Sequence, residues 1–254
     1  MISEIERFST PLSSSVHRGC GHRLQQDLHD ERNIQRFSGL ITDLDNTLYD
    51  YSAIQETACR AVIKVIGAGD CQSLMRTFLF SPHGVESHEA IREYLLQIGF
   101  DDETVFSRAY REYDLTKDTS LIPFPGVIES ITRIHDAGIR ICAVTNASSG
   151  HARDRIRLIG LQDFIPSLIS PDVSGLKKPD PDMYQMAADE MRLPLSSICV
   201  VGDNLVNDIA PAQVLGMYAV YARYGDRLPP EFAGDAIPNA VIDSFSEIIE
   251  ILGL

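Results

Sequence analysis

The sequence has no apolar run approaching the roughly 20 residues that a membrane-spanning helix needs. Its first residues, polar and carrying Glu4 and Glu6, do not make a secretion signal. Both absences predict a soluble, cytoplasmic protein with no membrane partner. Positive charge is also scarce: 22 Lys and Arg stand against 36 Asp and Glu, a net charge of -14, and the cations form no cluster. Nucleic acid is excluded as a partner on that ground, because the phosphate backbone is held by grouped Lys and Arg. Small anions are not, since a few local cations and a metal ion suffice for them. Five cysteines (Cys20, Cys59, Cys71, Cys142, Cys199) are an odd number without metal-ligand spacing, and read as small core residues of a reducing compartment. Internal repeats and low-complexity tracts are missing as well.

What remains is an ordinary globular composition: 254 residues, 44% hydrophobic and 23% charged, enough for one large domain or one domain carrying a smaller one. Residues 1–37 are polar and weakly periodic and read as an extension outside the core. Its histidines, His17, His22 and His29, are never three or four apart, so neighbouring helical positions could not share a metal ion. Residues 38–50 hold the first strand. Residues 51–122 show no strand: Ala53–Ile66, Gln72–Phe80, Glu86–Ile98 and Glu103–Tyr113 carry apolar residues at helical spacing, which predicts an all-helical insert. Its aromatics Phe78, Phe80, Tyr94, Phe106, Tyr110 and Tyr113 are expected in a bundle core.

From residue 123 to 254, strands and helices alternate. Strands are expected at Ile139–Val144, Phe164–Ile169, Ile198–Val201, Tyr218–Tyr221 and Ala240–Ile242. Helices are expected from Pro125 to Ala137, Gly150–Ile159, Asp180–Met191 and Asp208–Leu215. Such alternation predicts an α/β core with a doubly wound parallel sheet.

The polar groups that interrupt this pattern fall where ligands bind. Leu40 and Ile41 suit a strand buried on both faces, and the chain then runs into Asp43 and Asp45, two apart and so able to share a face. The carboxyl edge of an open α/β sheet is where ligands lie. The next strand ends in Thr145 and Asn146, ahead of a helix start whose free amides could face an anion. Lys178 precedes Pro179, which is expected to begin a helix; a lysine at that end opposes the helix dipole and therefore needs another reason, such as a phosphate or clustered carboxylates. A further buried strand runs into Gly202 and Asp203, with Asp208 five residues on. Asp43, Asp45 and Asp203 in one crevice would repel one another without a cation, and oxygen ligands suit Mg²⁺. Each stretch alone also admits a bland reading as a polar turn, a cap or a surface lysine.

Taken in order, Asp43-Leu-Asp45-Asn-Thr47, Thr145-Asn146, Lys178-Pro179 and Gly202-Asp203 with Asp208 resemble the four motifs of the haloacid dehalogenase-like hydrolases, in particular phosphatases with a helical cap between the first and second. Thr42 departs from the apolar residue more usual before the first Asp. The resemblance implies a Rossmann-like core under a small helical cap, and a Mg²⁺-dependent phosphatase acting on a small phosphorylated metabolite. It implies that Asp43 is the nucleophile and Asp45 the acid and base. Thr145, Asn146 and Lys178 would hold the phosphoryl group, Asp43, the backbone carbonyl of Asp45 and Asp203 would hold Mg²⁺, and Asp208 would orient Lys178. Asp45 favours phosphate chemistry over dehalogenation. A phosphotransferase or mutase, or a regulatory protein that has kept the fold, stay open as alternatives. Tyr49, Asp50 and Tyr51 are placed where the cap leaves the core, and the stretch from Arg223 to Pro230 is expected to be a surface loop, with reaching the rim of the site as the alternative. The residues do not specify an oligomeric state.

Overall fold

A computed structural model describes residues 37–82, 87–228 and 234–254. The extension and its histidines lie outside the described residues, apart from Phe37. That ring is buried and meets Tyr218 edge-on at 5.2 Å between centroids, so the core begins one residue earlier than expected.

Six parallel strands form one sheet in the order β3-β2-β1-β4-β5-β6. They are β1 Gly39–Thr42, β2 Arg140–Val144, β3 Ser167–Ile169, β4 Ile198–Gly202, β5 Tyr218–Ala222 and β6 Ala240–Ile242. The order reverses direction beside β1, between β2 on one side and β4 on the other, which opens a crevice at the carboxyl ends of those strands. Both faces of β1 are buried, because Leu40 and Ile41 point to opposite sides of the sheet. On the Leu40 side the core includes α5 (Val127–Asp136), α6 (Ser149–Leu158) and α10 (Ile248–Leu252). On the Ile41 side, Met183, Tyr184 and Ala187 of α8 (Asp182–Met191) and Ala212 of α9 (Ala210–Val214) pack beneath Cys142 and Val200. Cys142 and Cys199 are small buried core residues, as expected.

The helical insert comprises α1 (Tyr51–Ile66), α2 (Cys71–Phe80), α3 (His88–Gln97) and α4 (Glu103–Thr119). Asp50, Asp70, Ser87 and Asp102 cap them by accepting from backbone amides, which is why each helix starts just past one of the polar breaks in the sequence. The four helices enclose a core of their own around Phe78, Tyr94, Phe106 and Tyr113. Phe80 does not join it: at the last position of α2 it is 83% exposed. The first turn of α1 belongs to the sheet domain instead, since Tyr51 and Ile54 pack in its core. Chain departure and return are paired, with Tyr49 bridging antiparallel to Pro123 and the Phe124 amide donating to the Leu48 carbonyl at 2.8 Å.

Several expected boundaries differ; α4, for one, runs six residues past Tyr113 to Thr119. The strand from Phe164 shrinks to β3, as Phe164 and Ile165 complete a turn on Leu161. Asp208–Leu215 is not one helix but a π-helical turn, Leu205–Ile209, followed by α9. A short helix, α7 (Pro171–Ser174), follows β3, and α8 begins at Asp182, beyond Pro179.

Candidate active site

Asp43 continues the line of β1, its amide donating to the Val201 carbonyl at 2.9 Å. Thr42 before it is wholly buried, and its hydroxyl is satisfied by the Asp43 carbonyl at 2.7 Å, which explains how a polar residue fits there. The chain then turns tightly through Asn46, whose φ of +63° is the left-handed conformation that Asn tolerates. The Asn46 side chain holds the turn by accepting from the amide and hydroxyl of Ser52. Thr47 is thereby carried back under Asp43, its hydroxyl 3.0 Å from Oδ2 of Asp43 and 3.3 Å from Oδ1 of Asp203.

Lys178 is 7% exposed, so it is not a solvated surface lysine. Its Nζ donates to Oδ1 of Asp43 at 2.5 Å and to Oδ1 of Asp208 at 2.7 Å. The dipole difficulty disappears with the later start of α8, and the lysine's reason is the carboxylates. Asn146 fixes the loop that presents it: Oδ1 accepts from the Lys178 amide at 2.8 Å, while Nδ2 donates to its carbonyl at 3.3 Å. Thr145 is buried at the end of β2, next to β1, and its hydroxyl accepts from the Ala147 amide at 3.1 Å.

Asp208 is fully engaged. Besides Lys178 it accepts from the buried Tyr184 hydroxyl at 3.0 Å and from the Asn204 amide at 3.1 Å. It comes so close to the chain at Gly202 that a Cβ there would lie 2.4 Å from its carboxyl carbon. The glycine is therefore required by contact with Asp208.

Asp43, Asp203 and Asp208 each offer an oxygen within 4.8 Å of the others. Burial and the neighbouring carboxylates push Asp43 up to about 7 despite Lys178, and push Asp203 up to about 9. Burial works against the charge of Lys178, but Asp208 and Asp43 outweigh it and hold its pKa above the ordinary lysine value. Excess negative charge on hard oxygen donors in a buried crevice fits a Mg²⁺ ion. The Asp45 side chain is not in this cluster. Its carboxylate accepts from Nη1 of Arg155 at 2.8 and 2.9 Å and from the Tyr49 hydroxyl at 2.8 Å.

Two other contacts lay beyond the sequence reading. Arg155, on α6, is 5% exposed, and its guanidinium lies 4.1 Å from the centre of the Tyr51 ring. A signal existed: Ala152, Arg155, Ile156 and Ile159 fall at i, i+3, i+4 and i+7, so the arginine occupies an apolar helical stripe. The segment from Arg223 is also no mere surface loop. The Tyr224 hydroxyl donates to the Thr47 carbonyl at 2.6 Å, and Gly225 packs against the Asn46 backbone so closely that a Cβ would overlap it. Residues 229 and 230 of that stretch lie outside the described residues. Beside Arg155, a cavity of about 390 Å³ is lined by His151 and Asp154 of α6 and by His88, Asp114 and the buried Lys117 of the helical insert.

The sequence pattern of the haloacid dehalogenase-like hydrolases matches residues 37–216. A glyceraldehyde 3-phosphate phosphatase of Methanopyrus kandleri is 28% identical over 227 residues, 84% of this chain and 96% of that protein. A phosphoglycolate phosphatase of Nitrosospira multiformis is 27% identical over 192 residues, covering 73% of this chain and 83% of its own length. Among solved structures, a phosphatase of the same superfamily from Thermococcus onnurineus superposes with a TM-score of 0.62 at 19% identity, over 85% of this chain and 98% of that one.

Proposed function

The chain belongs to the haloacid dehalogenase-like hydrolases, and from that premise we propose that it is a Mg²⁺-dependent phosphatase of a small phosphorylated metabolite, working through an aspartyl-phosphate. The observation that carries the reading is the buried contact of Lys178 with Asp43 at the sheet's carboxyl edge, beside Asp203 and Asp208. A carboxylate there is a nucleophile, and the adjoining ammonium receives the phosphoryl oxygens. Short-chain phosphate monoesters are the first candidate substrates, a reading supported by relatives named for glyceraldehyde 3-phosphate and phosphoglycolate.

In this reading Asp43 attacks phosphorus. Asp45 gives a proton to the leaving oxygen, then takes one from the water that hydrolyses the intermediate. Lys178, Thr145 and nearby backbone amides hold the phosphoryl oxygens as charge moves. Asn146 keeps Lys178 in place through its backbone, and Asp208 holds the ammonium from the other side. Asp43, the Asp45 carbonyl and Asp203 would hold Mg²⁺, which when bound offsets the repulsion between carboxylate and phosphate. Helices α1–α4 form the cap, residues 51–122, that shields the site from water and shapes its mouth.

The test is phosphate release from a panel of short-chain phosphates with Mg²⁺ and with chelator, using Asp43→Asn as control. Metal-dependent release that the variant lacks is expected. A variant retaining near wild-type turnover would overturn Asp43 as nucleophile.

A further inference from the structure

We propose that Arg155 is a positioning residue for Asp45, setting the direction in which that carboxyl meets the leaving oxygen. The proposal rests on the reading of Asp45 as the acid of the phosphatase reaction.

Asp43 and Asp45 are two residues apart but are held by separate partners. Asp43 is fixed by Lys178 and Thr47, whereas Asp45 is addressed by Arg155 and Tyr49. The Asp45 side chain is 23% exposed, and on a turn beyond the end of β1 nothing in the strand geometry fixes its rotamer. A single guanidinium nitrogen donates to both carboxylate oxygens and so sets the direction of the carboxyl group, while the Tyr49 hydroxyl, donating to Oδ1, limits its rotation about that direction. Both partners are rigid: Tyr49 is wholly buried, and Arg155 is clamped against Tyr51. Packing alone does not call for a cation in the stripe of Ala152 and Ile156, where an aliphatic side chain would avoid the desolvation cost. Arg155 also lines the cavity between α6 and the helical insert, so it stands between the acid and space able to take the rest of a substrate.

In the step concerned, an oxygen of Asp43 bonds to phosphorus as the bond from phosphorus to the leaving oxygen breaks. The leaving oxygen keeps that electron pair and takes the proton carried by Asp45. A neutral alcohol departs, and Asp45 is left as a carboxylate against Arg155. An alkoxide is a poor leaving group and needs this proton; p-nitrophenolate needs it little.

The experiment compares kcat/KM for a short-chain alkyl phosphate and for p-nitrophenyl phosphate, because kcat/KM covers only the steps up to release of the alcohol or phenol. Arg155→Ala should lose about 10²-fold on the alkyl ester but under about 5-fold on the aryl ester, the scale of a displaced acid. Asp45→Asn should show the same imbalance, and adding Arg155→Ala to it should leave the alkyl-to-aryl ratio unchanged. Tyr49→Phe, a milder change, should shift the ratio in the same direction if the arginine variant does not fold, and Arg155→Lys should restore part of it. Equal losses on both esters in Arg155→Ala and in Tyr49→Phe, or additivity with Asp45→Asn, would overturn the proposal. Failure of the wild-type protein on both esters with Mg²⁺ present would instead sink the phosphatase reading and take the proposal with it.

Discussion

Replacing Asp43 by Asn should make the metal-free protein more stable, and do so only at high pH. Asp43 is 8% exposed and faces Asp208 and Asp45, and its pKa rises from the ordinary 3.8 to about 7. The folded state thus holds this proton more tightly than the unfolded chain. Its stabilising share is complete below the ordinary value and is lost as pH climbs through 7. At 1.36 kcal/mol per pH unit the displacement amounts to at most about 4 kcal/mol once Asp43 is ionised. An amide in place of the acid removes that charge but offers Lys178 a weaker partner, so the expected gain is about 1–3 kcal/mol. For a chain of this size that raises Tm by roughly 2–4 °C per kcal/mol. The assay is thermal unfolding of both proteins in chelator at about pH 5 and about pH 8.5. Relative to the wild type, the variant should gain about 3 kcal/mol in going from the lower pH to the higher one. A lower Tm at both values, by the same amount, would refute the account of a strained acid cluster.

Asp208 should behave in the opposite way despite touching the same lysine. Asp208→Ala leaves Lys178 with Asp43 alone and takes the acceptor from the Asn204 amide, and should cost about 1–3 kcal/mol by denaturant unfolding. Gly202→Ala forces a methyl group into the Asp208 carboxyl and should cost about 1–3 kcal/mol with a matching loss of phosphate release. Asp172 accepts from the amide and hydroxyl of Ser149 and from the Ser170 hydroxyl, which hold its pKa down at about 2. An NMR titration should find its midpoint well below 3.8, with these bonds intact above that value and lost as pH falls toward 2; Ser149→Ala should move the midpoint up. Phe106→Ala in the core of the helical insert should cost about 3–5 kcal/mol.

The sheet was legible in the sequence because its central strands are buried on both faces and read as unbroken apolar runs between turn residues. The positions of Asp43, Lys178 and Asp203 followed, since each stands just past such a run or at its break. What escaped had physical reasons. Pro179 looks like a helix start, but Asp180 and Pro181 intervene before α8 begins, and Lys178 lies on the loop ahead of it, where Asn146 holds its backbone. Helices α7 and α10, four and five residues long, are too short to show a period. Arg155 stands between the exposed Arg153 and Arg157, and only the stripe of Ala152, Ile156 and Ile159 sets it on the buried face. Tyr224 is remote in sequence from Thr47, and only the folded chain brings them together.

The bridge between Tyr49 and Pro123 has a consequence for how such a molecule can change over time. As far as the sheet is concerned, the four helices between those residues are one long hairpin loop closed at its base. The entropy of closing a loop grows only logarithmically with its length, and the helices bring a core of their own. A shorter loop or a wholly different body could therefore be spliced at the same two points while β1 and its aspartates stay in register. Selectivity could then be rebuilt by exchanging a module, and the chemistry inherited unchanged.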